Sequence, residues 1–149
     1  MKKVVWLVLI IVVAVGVYFL WVKPRQKPAV SPIKITGTES EKEAVVKMKL
    51  GESNAYLRTL HVALESWKID NKTYPDNLYV LTTPIAYLTK MYDDPFQPGY
   101  NMNYKKISDT DFLLWGIGPD GKNDDGQIVY DQNNGFTSSG DIVRTPASK

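Results

Sequence analysis

The chain has 149 residues, room for one domain and an appendage, with 18 Lys+Arg against 16 Asp+Glu and 44% apolar side chains. It has no cysteine and a single histidine, His61, which excludes disulfides and thiolate metal sites and argues against a histidine-based zinc site or a Ser-His-Asp triad. The net charge of +2 hides a split: residues 1–27 carry five basic side chains and no acid, and the remainder carries 13 basic and 16 acidic, giving +5 and −3. A nucleic-acid-binding face is therefore not expected.

Residues 4–22 (VVWLVLIIVVAVGVYFLWV) form a 19-residue run without a charge. As a helix this run spans about 28 Å, close to the roughly 30 Å hydrocarbon core of a bilayer. Trp6 near one end, and Tyr18 and Trp21 near the other, suit the two interfacial belts. The run exceeds the usual apolar stretch of a signal peptide, about 7–15 residues, and no A-x-A-like site comes after it. Residues 1–22 are thus expected to be an uncleaved anchor in the lipid bilayer. Lys2, Lys3 and the amino terminus stand against Lys23, Arg25 and Lys27, so the positive-inside count is nearly a tie and charge alone leaves the orientation open. Residues 23–38 hold Pro24, Pro28 and Pro32 and show no apolar period. That stretch is expected to be an extended tether, reaching up to roughly 50 Å at about 3.1 Å per residue.

A single α+β domain is expected over residues 39–149. Its start is written at Thr38-Glu39-Ser40-Glu41, a capping box with Thr38 as cap, although Ser40 with Glu43 fits equally well. Val46, Leu50, Leu57, Leu60, Leu64 and Trp67 recur at helical spacing, with Ser53 in the missing position, to about Asp70. The stripe predicts a long helix packed on its own sheet in preference to a coiled coil, with a bend or fraying at Gly51. His61 lies beside the stripe and is assigned no catalytic role. Tyr74-Pro75 and Thr83-Pro84 mark turns around a short helical turn, and residues 93–99 (DDPFQPG) are a dense turn signal. Residues 100–107 and 111–117 read as strands joined by Ser108-Asp109-Thr110, with shorter strands at 127–130 and 141–144. One long helix and then short antiparallel strands places the helix over one sheet face.

Seven aspartates (109, 111, 120, 124, 125, 131 and 141) and one basic residue, Lys122, lie between Ile107 and Val143. Six of the ten glycines fall between Gly116 and Gly140. Carboxylates on a glycine-rich loop are what Ca²⁺ accepts, yet DGKNDDG is not an EF-hand loop, and Asp-Gly and Asn-Gly pairs also make ordinary polar turns. A glycosidase carboxylate pair is the weaker third reading, since nothing nearby suggests a cleft.

Several segments resemble the pseudopilins of type II secretion. LRTLHVALESWKIDNKTYP is similar to the end of that family's first helix, and PDNLYVLTTP to the stretch just after that helix. Asp94-Pro95-Phe96 with Tyr100 and Tyr104 resembles its Asp-Pro-aromatic turn and Tyr-x-Tyr strand. FLLWGIGPDG, residues 112–121, resembles its closing strand and loop, and Asp141-Ile142 an Asp-Ile pair near its C-terminus. The resemblance covers roughly residues 44–144.

It implies a pilin-like fold and a non-enzymatic structural subunit of a secretion pseudopilus, with other pseudopilins or secretion-system subunits as partners. It also implies a single-pass inner-membrane protein whose globular domain is periplasmic. Calcium in the C-terminal loop is implied too: Asp120 and Asp141 carry the match, and Asp124 and Asp125 join them for their charge density. The N-terminus departs from the family. Lys2-Lys3-Val4-Val5-Trp6 stands where the family has a Gly-Phe-Thr-Leu-Ile-Glu processing site, and the tether interrupts what is one continuous helix there. That departure keeps a second reading in play: a membrane-tethered binding module that reuses the fold without polymerising.

Overall fold

In the computed structural model, residues 37–136 and 138–148 are described. The expected anchor at 1–22 and nearly all of the tether lie outside them. Among the described residues no helix is long and apolar enough to cross a membrane.

Helix α1 runs Glu39–Asn71. The choice of cap is resolved in favour of Thr38: its hydroxyl accepts from the Glu41 N–H, and the Glu41 carboxylate accepts from the Thr38 N–H at 2.8 Å. The helix closes on Lys72 in the left-handed region at φ 64. Helix α1 does not fray at Gly51, because the packing of Val46, Leu50, Ser53 and Leu57 holds the turns on both sides of it. The predicted apolar stripe is the buried one: Leu57, Leu60 and Leu64 are fully covered, and Trp67 is half-buried at its end.

After α1 a 3₁₀ turn, Leu78–Leu81, drops Leu78 and Leu81 into the core. Five short strands come next: β1 (Asp93–Asp94), β2 (Gln97–Asn101), β3 (Asn103–Lys106), β4 (Phe112–Gly116) and β5 (Ile142–Arg144). They make two antiparallel sheets, β1-β2 and β3-β4-β5. Helix α1 lies on β4 and β5. Phe112 and Leu114 of β4 reach the core under it, with Tyr74 edge-on to Phe112 at 4.7 Å. This is the expected α+β arrangement of one long helix on small antiparallel sheets.

Three strand expectations change. The run 100–107 is two strands, because Met102 turns into the core and its N–H leaves the β3-β4 ladder for the Tyr92 carbonyl at 3.1 Å. Residues 93–99 are a tight turn that also carries β1 and the start of β2. Residues 127–130 form only a parallel bridge, Val129 to Asp141, because Asp131 caps a 3₁₀ turn at Gln132–Asn134 and ends the extended backbone there.

Candidate functional site

Three of the segments that carry the family resemblance meet at one corner of the molecule, where β4 ends. Asp94, 1% exposed, ends β1 and opens the turn to β2. Its Oδ1 accepts from the Phe96 N–H at 2.8 Å, and its Oδ2 accepts from the Ile117 N–H at 2.6 Å. The second bond ties the turn to the residue just past β4, 23 positions away. Gly116 lies close against this bond: a Cβ would stand 2.9 Å from the Met102 sulfur and 3.2 Å from Asp94 Oδ2, so a larger residue would push the methionine aside and crowd the carboxylate. Burial pushes the Asp94 carboxyl above the ordinary carboxylate range, and the backbone N–H bonds oppose that shift.

Past Ile117 the chain crosses under the C-terminal segment. A Cβ on Gly118 would lie 1.9 Å from the Gly140 carbonyl oxygen, so no larger residue fits at that crossing. The loop at 120–130 then folds back over the outer face of the sheet. Trp115 donates its indole N–H to Asn123 Oδ1 at 2.9 Å, and Gly126 packs on Leu113.

Asp141, fully buried, holds this loop in place. Its main chain bonds to Ile128 and Tyr130 at 2.7 and 2.8 Å. Its carboxylate Oδ2 accepts from the N–H groups of both Asp124 and Gly126, at 3.0 and 2.8 Å. Its Oδ1 is buried without a partner. Asp120 repeats the pattern: Oδ1 accepts from the Lys122 N–H at 3.1 Å, and Oδ2 is buried and unpartnered. Burial raises the Asp141 pKa, the two backbone N–H bonds lower it, and the charges of Asp124 and Asp120 raise it again. Two open carboxylate oxygens thus share one electrostatic environment, and a buried polar atom without a partner is costly in a native structure.

The four aspartates expected to hold metal are therefore not equivalent. Asp141 and Asp120 each offer an open buried oxygen. Asp124 is half-buried, gives its N–H to Asp141 and adds its charge to the group. Asp125 is exposed, at φ 54, with its N–H on Asn123. Among the described residues no three acidic or histidine side chains are gathered closely enough to form a metal-holding group. Any ion there would rest on backbone and water oxygens as well as carboxylates. Asp94 was legible only as a turn residue, since its partner Ile117 is remote in sequence. His61 is half-buried, edge-on to Phe112 at 5.5 Å, and burial lowers its pKa.

Compared with protein-family models, curated proteins and solved structures, the chain matches none of them.

Proposed function

We propose that the chain is a membrane-anchored, non-enzymatic structural subunit of the pseudopilin type, with its globular domain on the extracytoplasmic side of the inner membrane and its role in protein secretion or a pilus-like assembly. One observation carries this reading. The Asp-Pro-aromatic turn, the closing strand with its GIGPDG loop and the Asp141-Ile142 pair, far apart in sequence, build a single corner through Asp94–Ile117, Gly118–Gly140 and the Asp141 bonds to Asp124 and Gly126. The uncharged run at 4–22 supplies the anchor.

The same corner is proposed as a Ca²⁺ site. The open Oδ1 of Asp141 and Oδ2 of Asp120 suit a hard cation that takes six to eight oxygens. Asp124 and Asp125 lie on the same loop, and backbone carbonyls and water complete the set. Bound calcium would cancel the repulsion among these carboxylates and fasten the C-terminal segment to the loop.

Deleting the gene in its own host tests the functional reading. Secreted proteins should accumulate inside the cells, and the full-length chain should stay with membranes after a carbonate wash. Unchanged secretion, with the chain in the soluble fraction, would contradict it. A second reading, a tethered binding module, is favoured by a cleft of about 480 Å³ lined by Tyr79, Tyr100, Asn101, Met102 and Asn103. Under that reading secretion is unaffected and the chain still fractionates with membranes.

A further inference from the structure

A cleft of about 480 Å³ opens between residues 76–79 and the strands β2 and β3. One wall is Tyr79, which is 63% exposed and yet held at both ends. Its N–H donates to Asn77 Oδ1 at 3.1 Å, and its hydroxyl accepts from Asn101 Nδ2 at 2.9 Å. Fixing an exposed side chain costs conformational entropy and brings no burial in return. A ring fixed in advance is what a ligand can stack on without meeting that cost itself. Tyr100 and Tyr104 line the same cleft, as do Gln97, Asn101 and Asn103. The side-chain amides of Gln97 and Asn103 have no hydrogen-bond partner among the described residues.

We infer that this cleft binds a neutral saccharide. Its lining selects that class by excluding the others. Among the described residues no lysine or arginine lines the cleft, so a phosphate or carboxylate would enter without a counter-charge. The one acid there, Asp76, stands 3.4 Å from Lys106 Nζ, so a cationic ligand meets a carboxylate that is already paired. A wholly apolar ligand would strip water from the amides and offer them no hydrogen bond. A pyranose suits both halves of the lining. Its C–H face packs on an aromatic ring, and each of its hydroxyls both donates and accepts, as a side-chain amide does. A peptide would bring charged side chains that find no counter-charge, and apolar ones that find Leu78 and Met102 already buried in the core. The inference rests on the cleft that the tethered-module reading invokes, and it names the ligand class of that reading.

The test uses the full-length chain in phosphatidylcholine nanodiscs prepared without a glycosidic detergent. Maltohexaose, cellohexaose, chitohexaose and mannohexaose are the probes, titrated by calorimetry and by saturation-transfer NMR. At least one should bind saturably below about 1 mM, with saturation reaching its ring C–H protons. Tyr79→Ala should weaken that binding at least about tenfold without lowering the far-ultraviolet melt, since the ring is exposed. Tyr79→Phe keeps the ring and loses the Asn101 bond, and it should weaken binding less than Tyr79→Ala does. Ile85→Ala, exposed but outside the cleft, should leave binding unchanged. No saturable binding of any probe, a Tyr79→Ala chain that binds like wild type, or retention of tryptic peptides where no sugar is retained would each overturn the inference. Failure of the two readings is distinguishable. Sugar bound together with a secretion defect on gene deletion supports the inference and removes only the tethered-module reading. No sugar bound with secretion unaffected overturns the saccharide and leaves that reading standing.

Discussion

Asp94 and Asp141 are the same residue type at almost the same burial, 1% and 0% exposed, and both have carboxyl groups raised by that burial. They differ in how their oxygens are used. Asp94 accepts a backbone bond on each oxygen, from Phe96 and Ile117, and both ends of the carboxylate are satisfied. Asp141 takes both of its backbone bonds on Oδ2 and leaves Oδ1 open beside a second acid, Asp120, that also has an open oxygen. Burial alone does not separate these two carboxylates; the use of their lone pairs does.

The largest expected effect breaks the structural member of the pair. Asp94→Ala leaves the Phe96 and Ile117 N–H groups buried without an acceptor, at about 1–3 kcal/mol each. Urea denaturation of the fragment beginning at residue 37 should show a loss of about 2–6 kcal/mol in calcium and chelator alike. A loss seen only in calcium would mean that Asp94 belongs to the proposed ion site.

Asp120→Ala should behave in the opposite way. Calcium at a hundredfold excess over Kd stabilises a protein that binds it only when folded by about 2.7 kcal/mol, and this variant should lose most of that gain. Its stability in chelator should change little, because relief of repulsion on Asp141 offsets the lost bond to the Lys122 N–H.

A titration sharpens the contrast further. The native Asp141 pKa lies above its ordinary 3.8, so the folded state holds that proton more tightly than the unfolded chain does. Its stabilising contribution is present below 3.8 and is lost as the pH rises through the raised native value. In chelator, Asp141→Asn should therefore gain on the wild-type chain as the pH rises over that window and level off above it. A stability difference that does not vary with pH would contradict the raised pKa. The smallest effect is a control away from both aspartates. Gly51→Ala, with open space at its Cβ, should raise the melting stability of the fragment by up to about 1 kcal/mol.

Local signals made much of this legible from sequence. The capping box at Thr38 and the leucine stripe are repeats of short range, and α1 begins and buries where they indicate. The Asp-Gly-rich segment pointed to the loop at 120–126 as the chemical region. What escaped depends on distance along the chain. Nothing near Asp94 announces Ile117, nothing near Gly118 announces Gly140, and the split at Met102 results from a tertiary choice by one side chain.

If the open oxygen of Asp141 marks an ion site, thermal melts of the fragment beginning at residue 37 will differ between millimolar calcium and chelator. The wild-type midpoint should rise with calcium by several degrees, as about 2.7 kcal/mol gives in a domain near a hundred residues. Asp141→Asn should melt at one temperature in both conditions, at or above the wild-type midpoint in chelator. Equal wild-type midpoints with and without calcium would contradict the claim and leave Asp141 a loop anchor only.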